Sequence, residues 1–198
     1  MILEDQTKLL EHLKSGDIAI IPTDTIYGFS CIIDSTEGEN KIRTLKNRDN
    51  KPFIIIDSVS SRIYSYFDRT IHSFIDKMMI RVWPDEVTLL AKSSDLIKRR
   101  TGLDKIAVRF TSNELIKFLT ENLNSGLFST SVNITGEKEL IDPFDIINFW
   151  NDKVPVIFLI LNYGTSSSAI IEFENNEMRI LRSGSECAMK KVELLNAR

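Results

Sequence analysis

Residues 18–28 read IAIIPTDTIYG, an apolar run that ends at a proline and continues into a polar loop. An uninterrupted run of isoleucine and alanine is typical of a strand buried on both faces of a sheet, and Pro22 cannot donate to a ladder that would continue it. The loop places Thr23 and Thr25 two residues apart, and loops at strand ends are where open α/β folds bind ligands. This stretch therefore predicts an α/β sheet with a candidate polar binding loop. A plain turn, in which Asp24 and Thr25 bond their own backbone, is the alternative.

Helical and strand-like patterns alternate on either side of this stretch. Apolar residues at helical spacing and capping residues predict helices at 3–14, 36–45, 58–67, 70–82, 112–123 and 143–150. Short apolar runs predict strands at 18–21, 29–34, 53–57, 87–92, 106–110, 126–131, 154–160, 167–173 and 178–182. No repeat divides the chain, and no linker rich in proline, glycine or serine interrupts it. We therefore predict one mixed α/β domain over residues 1–198, built on a twisted, partly antiparallel sheet.

The composition excludes several classes of protein. Of the 198 residues, 42% are hydrophobic and 27% are charged, and no apolar run reaches the ~18 residues that a membrane-spanning helix needs. The net charge of −3 argues against extensive electrostatic wrapping of nucleic acid, although it leaves room for a local basic pocket. Two cysteines cannot build a disulfide framework, and with two histidines they make a poor supply of zinc ligands. We expect a protein of the reducing cytoplasm, with no membrane association and no metal held tightly by its own side chains.

A cluster of cations lies between a predicted helix and a predicted strand. Residues 46–52 read KNRDNKP, so Lys46, Arg48 and Lys51 lie within six residues of one another. Arginine can clamp two phosphate oxygens in a fork, and lysine adds a compact charge. The segment is a candidate phosphate site, or else an ordinary solvated loop.

Small polar side chains end the strand predicted at 126–131. Residues 129–133 read STSVN, and Ser131 and Asn133 face the same way if the strand extends that far. These side chains could bind a phosphate or a ribose hydroxyl, or they could only cap the strand end.

Two arginines lie near the ends of mainly apolar predicted strands: Arg109 is the penultimate residue of IAVRF, and Arg182 is the last residue of MRILR. An arginine in this position usually extends its head to solvent or pairs with a carboxylate, but it can also reach into a shared pocket for an anion. Ser168, the last of three consecutive serines, precedes AIIEF and could belong to such a pocket or to a polar loop.

Taken in order, these motifs resemble the YrdC-like family in its single-domain form. The chain reads PTDTIYG, then KNR and KP, followed by WP-x-x-VT, AVR, STS-x-N, SSAIIE and ILRSG, and the match covers roughly residues 8–185. Each motif is weak alone, whereas the ordered set is specific. The characterised members of this family are threonylcarbamoyl-AMP synthases.

The resemblance implies a fold and a reaction. The fold is a YrdC-like twisted mixed α/β sheet with flanking helices and a large, positively lined cavity on one face. The reaction joins L-threonine, bicarbonate and ATP into threonylcarbamoyl-AMP and pyrophosphate, with Mg²⁺ accompanying ATP. The product passes to a separate transferase complex that modifies the adenosine beside the anticodon of tRNA. We expect tRNA binding by this chain itself to be weak or indirect.

The resemblance also assigns roles to residues of this chain. It implies contacts with threonine for a first set: Thr23, Thr25, Arg109, Ser131 and Ser168. It implies contacts with the nucleotide for a second set: Lys46, Arg48, Lys51, Ser131, Asn133 and Arg182. Lys46 and Arg48 would also act on the developing carbamoyl-adenylate, as the catalytic pair.

Four features depart from the family pattern. The usual WPGP-x-T is WPDEVT at residues 83–88, so two acids replace glycine and proline in a loop that could shape the cavity wall. Ala169 and Glu172 replace the usual threonine and aspartate after the serines, Ser183 replaces the proline of LRPG, and Asp57 stands where a histidine is common. These changes keep an alternative open, in which the chain is a catalytically weakened YrdC-like protein that binds nucleotides or RNA.

Overall fold

The computed structural model describes residues 1–47, 52–159 and 164–195. The strands in these ranges are β1 (Ile2–Leu3), β2 (Ala19–Ile21), β3 (Gly28–Ile32), β4 (Ile54–Asp57), β5 (Val87–Lys92), β6 (Lys105–Phe110), β7 (Leu127–Ser131), β8 (Val156–Phe158), β9 (Ala169–Glu174) and β10 (Glu177–Arg182). The helices are α1 (Gln6–Lys14), α2 (Thr36–Leu45), α3 (Ser60–Tyr66), α4 (His72–Arg81), α5 (Asp95–Thr101), α6 (Glu114–Leu123), α7 (Pro143–Trp150) and α8 (Glu186–Glu193). A short 3-10 turn at Arg69–Ile71 precedes α4.

Parallel and antiparallel strand pairs mix in one sheet, whose order is β1-β8-β2-β3-β7-β4-β6-β5-β9-β10. β3 lies between β2 and β7 and pairs antiparallel with both, whereas β4 pairs parallel with β6, and β5 parallel with β9. The short β1 runs parallel to β8 at one edge, and β10 pairs antiparallel with β9 at the other. The predicted fold class, a mixed α/β sheet with flanking helices, is confirmed.

Apolar side chains pack on both faces of the sheet. α1 and α6 cover one face with buried leucines such as Leu13, and this core also takes Ile21 from β2. The larger core on the other face takes Ile20 from β2, and in it the ring of Trp150 meets that of Phe29 edge-on at a centroid distance of 4.9 Å. Because successive β2 side chains enter opposite cores, the strand has no polar face, which explains its uninterrupted apolar run.

Some predicted elements match the structure and others do not. β5 and α7 have the predicted bounds, but the first helix begins only at Gln6, because the Asp5 side chain caps it by accepting from the backbone N–H of Thr7 at 2.8 Å. The sequence pattern does not predict α5 or α8, since the first buries one side chain and the second buries two. None of the helices in the described ranges is long and apolar enough to cross a bilayer.

The two cysteines differ in their surroundings, which leads to a simple prediction. Cys31 lies in β3, and burial raises the pKa of its thiol to about 12, whereas Cys187 in α8 is exposed. Because the thiolate is the reactive form, titration of the native protein with a disulfide reagent should show one fast thiol. The Cys187→Ser protein should show none until it is denatured. Two fast thiols in native protein would contradict the burial of Cys31.

Candidate functional site

Hydrogen bonds among its own residues hold the loop between β2 and β3 in one conformation. Thr23 Oγ1 donates to the carbonyl oxygen of Ile26 at 2.8 Å and accepts from the backbone N–H of Thr25 at 3.1 Å. The hydroxyl oxygens of the two threonines lie 2.9 Å apart, and each threonine is buried. The Thr23 side chain, rather than Asp24, makes the bonds that shape the loop, and they fix the two hydroxyls relative to each other. The alternative in which Asp24 bonds its own backbone is wrong, since neither of its carboxylate oxygens has a hydrogen-bond partner.

Arg109, the penultimate residue of β6, reaches the same loop. Its Nη2 donates to Thr23 Oγ1 at 3.2 Å and lies 3.0 Å from Asp24 Oδ1. The contact with Asp24 is an ion pair without the alignment of a hydrogen bond, since neither carboxylate oxygen accepts one. Arg109 is only 2% exposed, so its charge acts in surroundings where electrostatic interactions are stronger than in water. The sequence indicated Asp24 only as a turn residue, and its place as the counter-ion of Arg109 emerges from the fold.

A cavity of about 470 Å³ opens beside this loop, and a volume of this order suits a small-molecule ligand. The predicted site residues that line it are Thr23, Thr25, Arg109, Ser131, Ser168 and Arg182. Apolar side chains, including those of Leu90, Ile170 and Leu181, form part of the remaining wall. Glu139 is the one carboxylate among the described residues of this lining, against two arginines. The fold thus brings together residues that are up to 159 positions apart in the chain, from Thr23 to Arg182.

Ser168 and Arg182 form one part of the cavity wall together. Arg182 donates from Nε to the carbonyl oxygen of Ser168 at 2.9 Å and from Nη2 to Ser168 Oγ at 3.2 Å. The same hydroxyl lies 2.8 Å from Thr88 Oγ1, and Thr88 is fully buried. Burial lowers the pKa of Arg182, the negative charge of Glu139 opposes this shift, and the positive charge of Arg109 adds to it. Thr88 was not predicted as a site residue, although it is the threonine of the WP-x-x-VT motif.

Lys46 is the C-cap of α2 and is 1% exposed, so the solvated-loop interpretation is wrong for this residue. Its Nζ donates to the carbonyl oxygens of Ser131 at 2.5 Å and Asn133 at 2.6 Å, and to Asn133 Oδ1 at 2.9 Å. Ser131 Oγ also donates to that Oδ1, at 2.7 Å. The sequence shows the positive charge of Lys46, but not the three oxygen atoms that hold it inside the protein.

The structure therefore places Lys46, Ser131 and Asn133 in one hydrogen-bonded cluster. Ser131 connects this cluster to the cavity lining, whereas Lys46 and Asn133 lie behind the described part of that lining. Arg48 and Lys51 fall outside the described residues. The nucleotide contacts assigned to these residues stay predictions.

Comparison with known proteins identifies the family to which this chain belongs. The model of the Sua5/YciO/YrdC family, which carries the description "Telomere recombination", matches residues 11–184. The chain belongs to this family.

Curated members of the Sua5/YciO/YrdC family match most of the chain. The threonylcarbamoyl-AMP synthase of Pseudoalteromonas atlantica is 31% identical over 157 residues, which cover 77% of this chain and 83% of that protein. The threonylcarbamoyl-AMP synthase of Vibrio campbellii is 25% identical over 183 residues, which cover 89% of this chain and 97% of that protein.

Solved structures of the Sua5/YciO/YrdC family share the fold. The structure of P. abyssi Sua5 complexed with L-threonine has a TM-score of 0.87 at 21% identity; the match covers all of this chain and 61% of that one. The chain thus spans about three fifths of P. abyssi Sua5. E. coli YciO has a TM-score of 0.77 at 20% identity, and the match covers 93% of each chain. At these identities the likeness shows the fold alone.

The two acids of the WPDEVT loop, Asp85 and Glu86, are bonded to α8 and its N-cap and are not among the described cavity-lining residues. Asp85 forms an ion pair with Lys191 of α8, and Glu86 Oε2 accepts from Ser185 Oγ at 2.9 Å. The backbone oxygen of Glu86 accepts from the backbone N–H of Ala169 at 2.9 Å. The acids therefore tie the loop to the C-terminal helix and add no carboxylate to the described cavity lining. The WPDEVT loop was the departure that most favoured a catalytically weakened protein, and its two acids make their contacts outside the described cavity lining.

Proposed function

We propose that this member of the Sua5/YciO/YrdC family is an L-threonylcarbamoyladenylate synthase. As a nucleotidyltransferase, it would convert L-threonine, bicarbonate and ATP into threonylcarbamoyl-AMP and pyrophosphate. The observation that carries this proposal is a single cavity whose wall joins buried Arg109 and the two loop threonines to the serine that contacts Lys46. The names of the two curated relatives at 31% and 25% identity support the same function.

The threonine end of the cavity is built from the loop after β2 and from β6. Arg109 offers a buried guanidinium for the α-carboxylate, and Thr23 orients it through a hydrogen bond. The hydroxyl groups of Thr25 and Ser168 line the same cavity and can bond the polar groups of threonine. Because these donors are held before the ligand arrives, binding costs less conformational entropy than it would with free side chains.

The nucleotide end is built around Ser131. The Lys46 ammonium group donates to three oxygen atoms of Ser131 and Asn133, so its charge is held close to the end of β7. A phosphate group beside Ser131 would be attracted by this charge at close range. Direct contact with Lys46 requires the ammonium group to exchange Asn133 Oδ1 for a phosphate oxygen. Arg48, Lys51 and Arg182 complete the cations that we propose for this end.

The chemistry needs positioned charge rather than a protein nucleophile. The ammonium group of threonine first loses a proton and becomes a nucleophilic amine. The amine attacks CO₂ and releases a second proton as the carbamate forms; from bicarbonate, the same carbamate forms with loss of one molecule of water. A carbamate oxygen then attacks the α-phosphorus of ATP, the bond to the β-phosphate breaks, and pyrophosphate leaves. Negative charge builds on the phosphate oxygens, and preorganised cations and hydrogen-bond donors stabilise it. Holding three small reactants together supplies much of the remaining rate enhancement.

Mg²⁺ would enter this cavity with ATP. Among the described residues no group of three or more histidine, cysteine, aspartate or glutamate side chains is arranged to hold a metal ion. The donor set present therefore fits a cation that is bound mainly by the nucleotide's own phosphate oxygens, which is the usual manner for Mg²⁺. Bound in that way, it would neutralise phosphate charge as pyrophosphate leaves.

The partners that we propose follow from the product. Threonylcarbamoyl-AMP is a reactive mixed anhydride, so a transferase complex downstream would have to accept it for the modification of tRNA. With a net charge of −3, the chain itself is suited only to weak or indirect tRNA binding. We place the reaction in the cytoplasm.

The test of the function is an assay of pyrophosphate and of the adenylate. With Mg²⁺, L-threonine, bicarbonate and ATP together, we expect both products in equal amounts, and omission of threonine or use of degassed, bicarbonate-free buffer should abolish both. A pyrophosphate rate that is the same with and without threonine and bicarbonate would count against the synthase. Nucleotide binding without either product would favour the weakened binding protein.

A further inference from the structure

Glu139 holds a fixed position in the cavity wall between β7 and α7. Backbone bonds anchor its segment on both sides: the N–H of Glu137 donates to the carbonyl oxygen of Ile134 at 3.0 Å, and the N–H of Leu140 donates to that of Val132 at 3.0 Å. The side chain is fixed as well, because Ser167 Oγ donates to Glu139 Oε2 at 2.6 Å. The Glu139 carboxylate is therefore held in a fixed position at the cavity wall.

The charge of Glu139 is out of place among the anionic groups that this cavity is proposed to bind. A carboxylate repels phosphate and carboxylate groups, and in the described part of the chain Glu139 has no ion-pair partner within 4.0 Å that would cancel its charge. The hydrogen bonds of its neighbour Arg182 go to Ser168 instead. Its natural partner is a cationic ligand group, because a hydrogen bond between two charged groups is roughly twice as strong as a neutral one.

The charges near Glu139 complement a zwitterion. Glu139 accepts from Ser167 and Arg182 donates to the adjacent Ser168, so these two groups lie on the same part of the cavity wall, and Arg109 lines the same cavity. An α-amino acid presents a carboxylate and an ammonium group next to each other. Two arginines with one glutamate offer a partner for each group, whereas the arginines alone would bind any small carboxylate equally well.

We propose that Glu139 binds the α-ammonium group of the amino-acid substrate, and that it thereby separates amino acids from hydroxy acids of the same shape. This inference rests on the proposed function, because it takes threonine as the ligand of the Arg109 end. Glu139 then holds the amine beside the position where carbon dioxide or bicarbonate must meet it. No motif in the sequence marks this residue, which lies outside every motif that carries the family resemblance.

The test compares two ligands that differ only in the amine. L-Threonine and (R)-3-hydroxybutanoate share the carboxylate and the β-hydroxyl, and the second lacks the ammonium group. Calorimetric titration with a non-hydrolysable ATP analogue and Mg²⁺ would measure the affinity of wild-type protein, Glu139→Gln and Glu139→Asp for each. The Glu139→Gln variant would keep an oxygen for the Ser167 hydroxyl and lose only the charge. Glu137→Gln is the matched control, since Glu137 lies two residues away and is exposed.

We expect Glu139→Gln to weaken threonine binding about tenfold to a hundredfold, as for loss of a hydrogen bond between charged groups, and to leave the affinity for (R)-3-hydroxybutanoate unchanged. Glu139→Asp should recover part of the loss, and Glu137→Gln should match wild type. Equal weakening of both ligands would overturn the assignment in favour of a purely structural role. Unchanged threonine binding would overturn it outright, and loss of discrimination between ATP and 2′-deoxy-ATP would assign Glu139 to the ribose.

The test of Glu139 and the test of the proposed function can fail independently of each other. If wild-type protein forms pyrophosphate from threonine and Glu139→Gln binds threonine normally, only the role of Glu139 fails. If wild-type protein binds threonine through Glu139 but forms no threonylcarbamoyl-AMP, the synthase proposal fails and the ammonium site stands.

Discussion

Lys46→Ala is expected to lower pyrophosphate formation at subsaturating ATP by at least roughly tenfold, since a charge-assisted bond to phosphate contributes about 1.5–3 kcal/mol. The variant should also be less stable, because Lys46 is buried and donates to three oxygen atoms of Ser131 and Asn133. Partly buried acceptors that lose their partner cost about 1 kcal/mol or more each, and Asn133 Oδ1 would keep Ser131 Oγ as a donor. We therefore expect a loss of about 2 kcal/mol or more in the free energy of unfolding, from the two carbonyl oxygens.

Two measurements separate the effects of Lys46→Ala. Urea denaturation reports the stability of the variant, and the assay is run below the unfolding transition, so that the remaining rate belongs to folded protein. Lys41→Ala is the matched control: Lys41 is on the same helix, pairs with Asp17 and Glu37 at the surface, and should leave both readouts unchanged. Wild-type turnover by folded Lys46→Ala protein would show that the lysine only builds the end of β7.

Arg62→Ala is expected to lower the free energy of unfolding by about 3–5 kcal/mol, the range for breaking a buried ion pair from one side. The partner of Arg62 is Asp57, the fully buried last residue of β4. Arg62 donates from Nε to Asp57 Oδ2 at 2.8 Å and from Nη2 to Asp57 Oδ1 at 2.9 Å. Tyr66 donates to the same carboxylate at 2.5 Å, and burial followed by the charge of Asp57 raises the pKa of Tyr66, so it stays a donor.

Thermal and urea unfolding of Arg62→Ala would measure this loss. Arg179→Ala is the control, because Arg179 is exposed and pairs only with Glu177 at the surface, where such pairs contribute little. In the double variant Asp57→Ala, Arg62→Ala the loss should be smaller than the sum of the two single losses, since no buried charge is then left alone. A loss below about 1 kcal/mol for Arg62→Ala would contradict the network.

The sequence predicted those elements whose own residues bury one face. α7 has a proline at its start and three buried positions at helical spacing, and β5 is an apolar strand, so local pattern was sufficient for both. β1 has two residues and exists only because it pairs with β8, which lies more than 150 positions away. α5 and α8 bury too little of their own surface to show a period. Their positions depend on contacts with distant elements.

The residues of the candidate site also fall into two groups: those that sequence motifs predict and those that only the fold brings into place. The hydroxyls of Thr23 and Thr25 and the guanidinium of Arg109 could be found from motifs, because their residue types and order are recorded in the chain. The burial of Lys46 could not be found, since its three acceptors come from a strand end 85 and 87 positions further on. The places of Asp24 and Glu139 were missed for the same reason: whether a carboxylate faces an arginine, a ligand or water is decided by the fold.

The tie between the WPDEVT loop and α8 has a consequence for the order of folding. The partners Asp85 and Lys191 are 106 positions apart, and this link cannot form until nearly the whole described chain is present. Closing so long a loop costs conformational entropy before any stabilising contact between its ends is formed. Local elements such as α1 and the hairpin of β9 and β10 can form early, whereas the contact of Ser168 with Thr88, 80 positions away in the chain, forms late. A ribosome-bound chain that lacks α8 would carry most of the sheet while one side of the cavity was still unfinished.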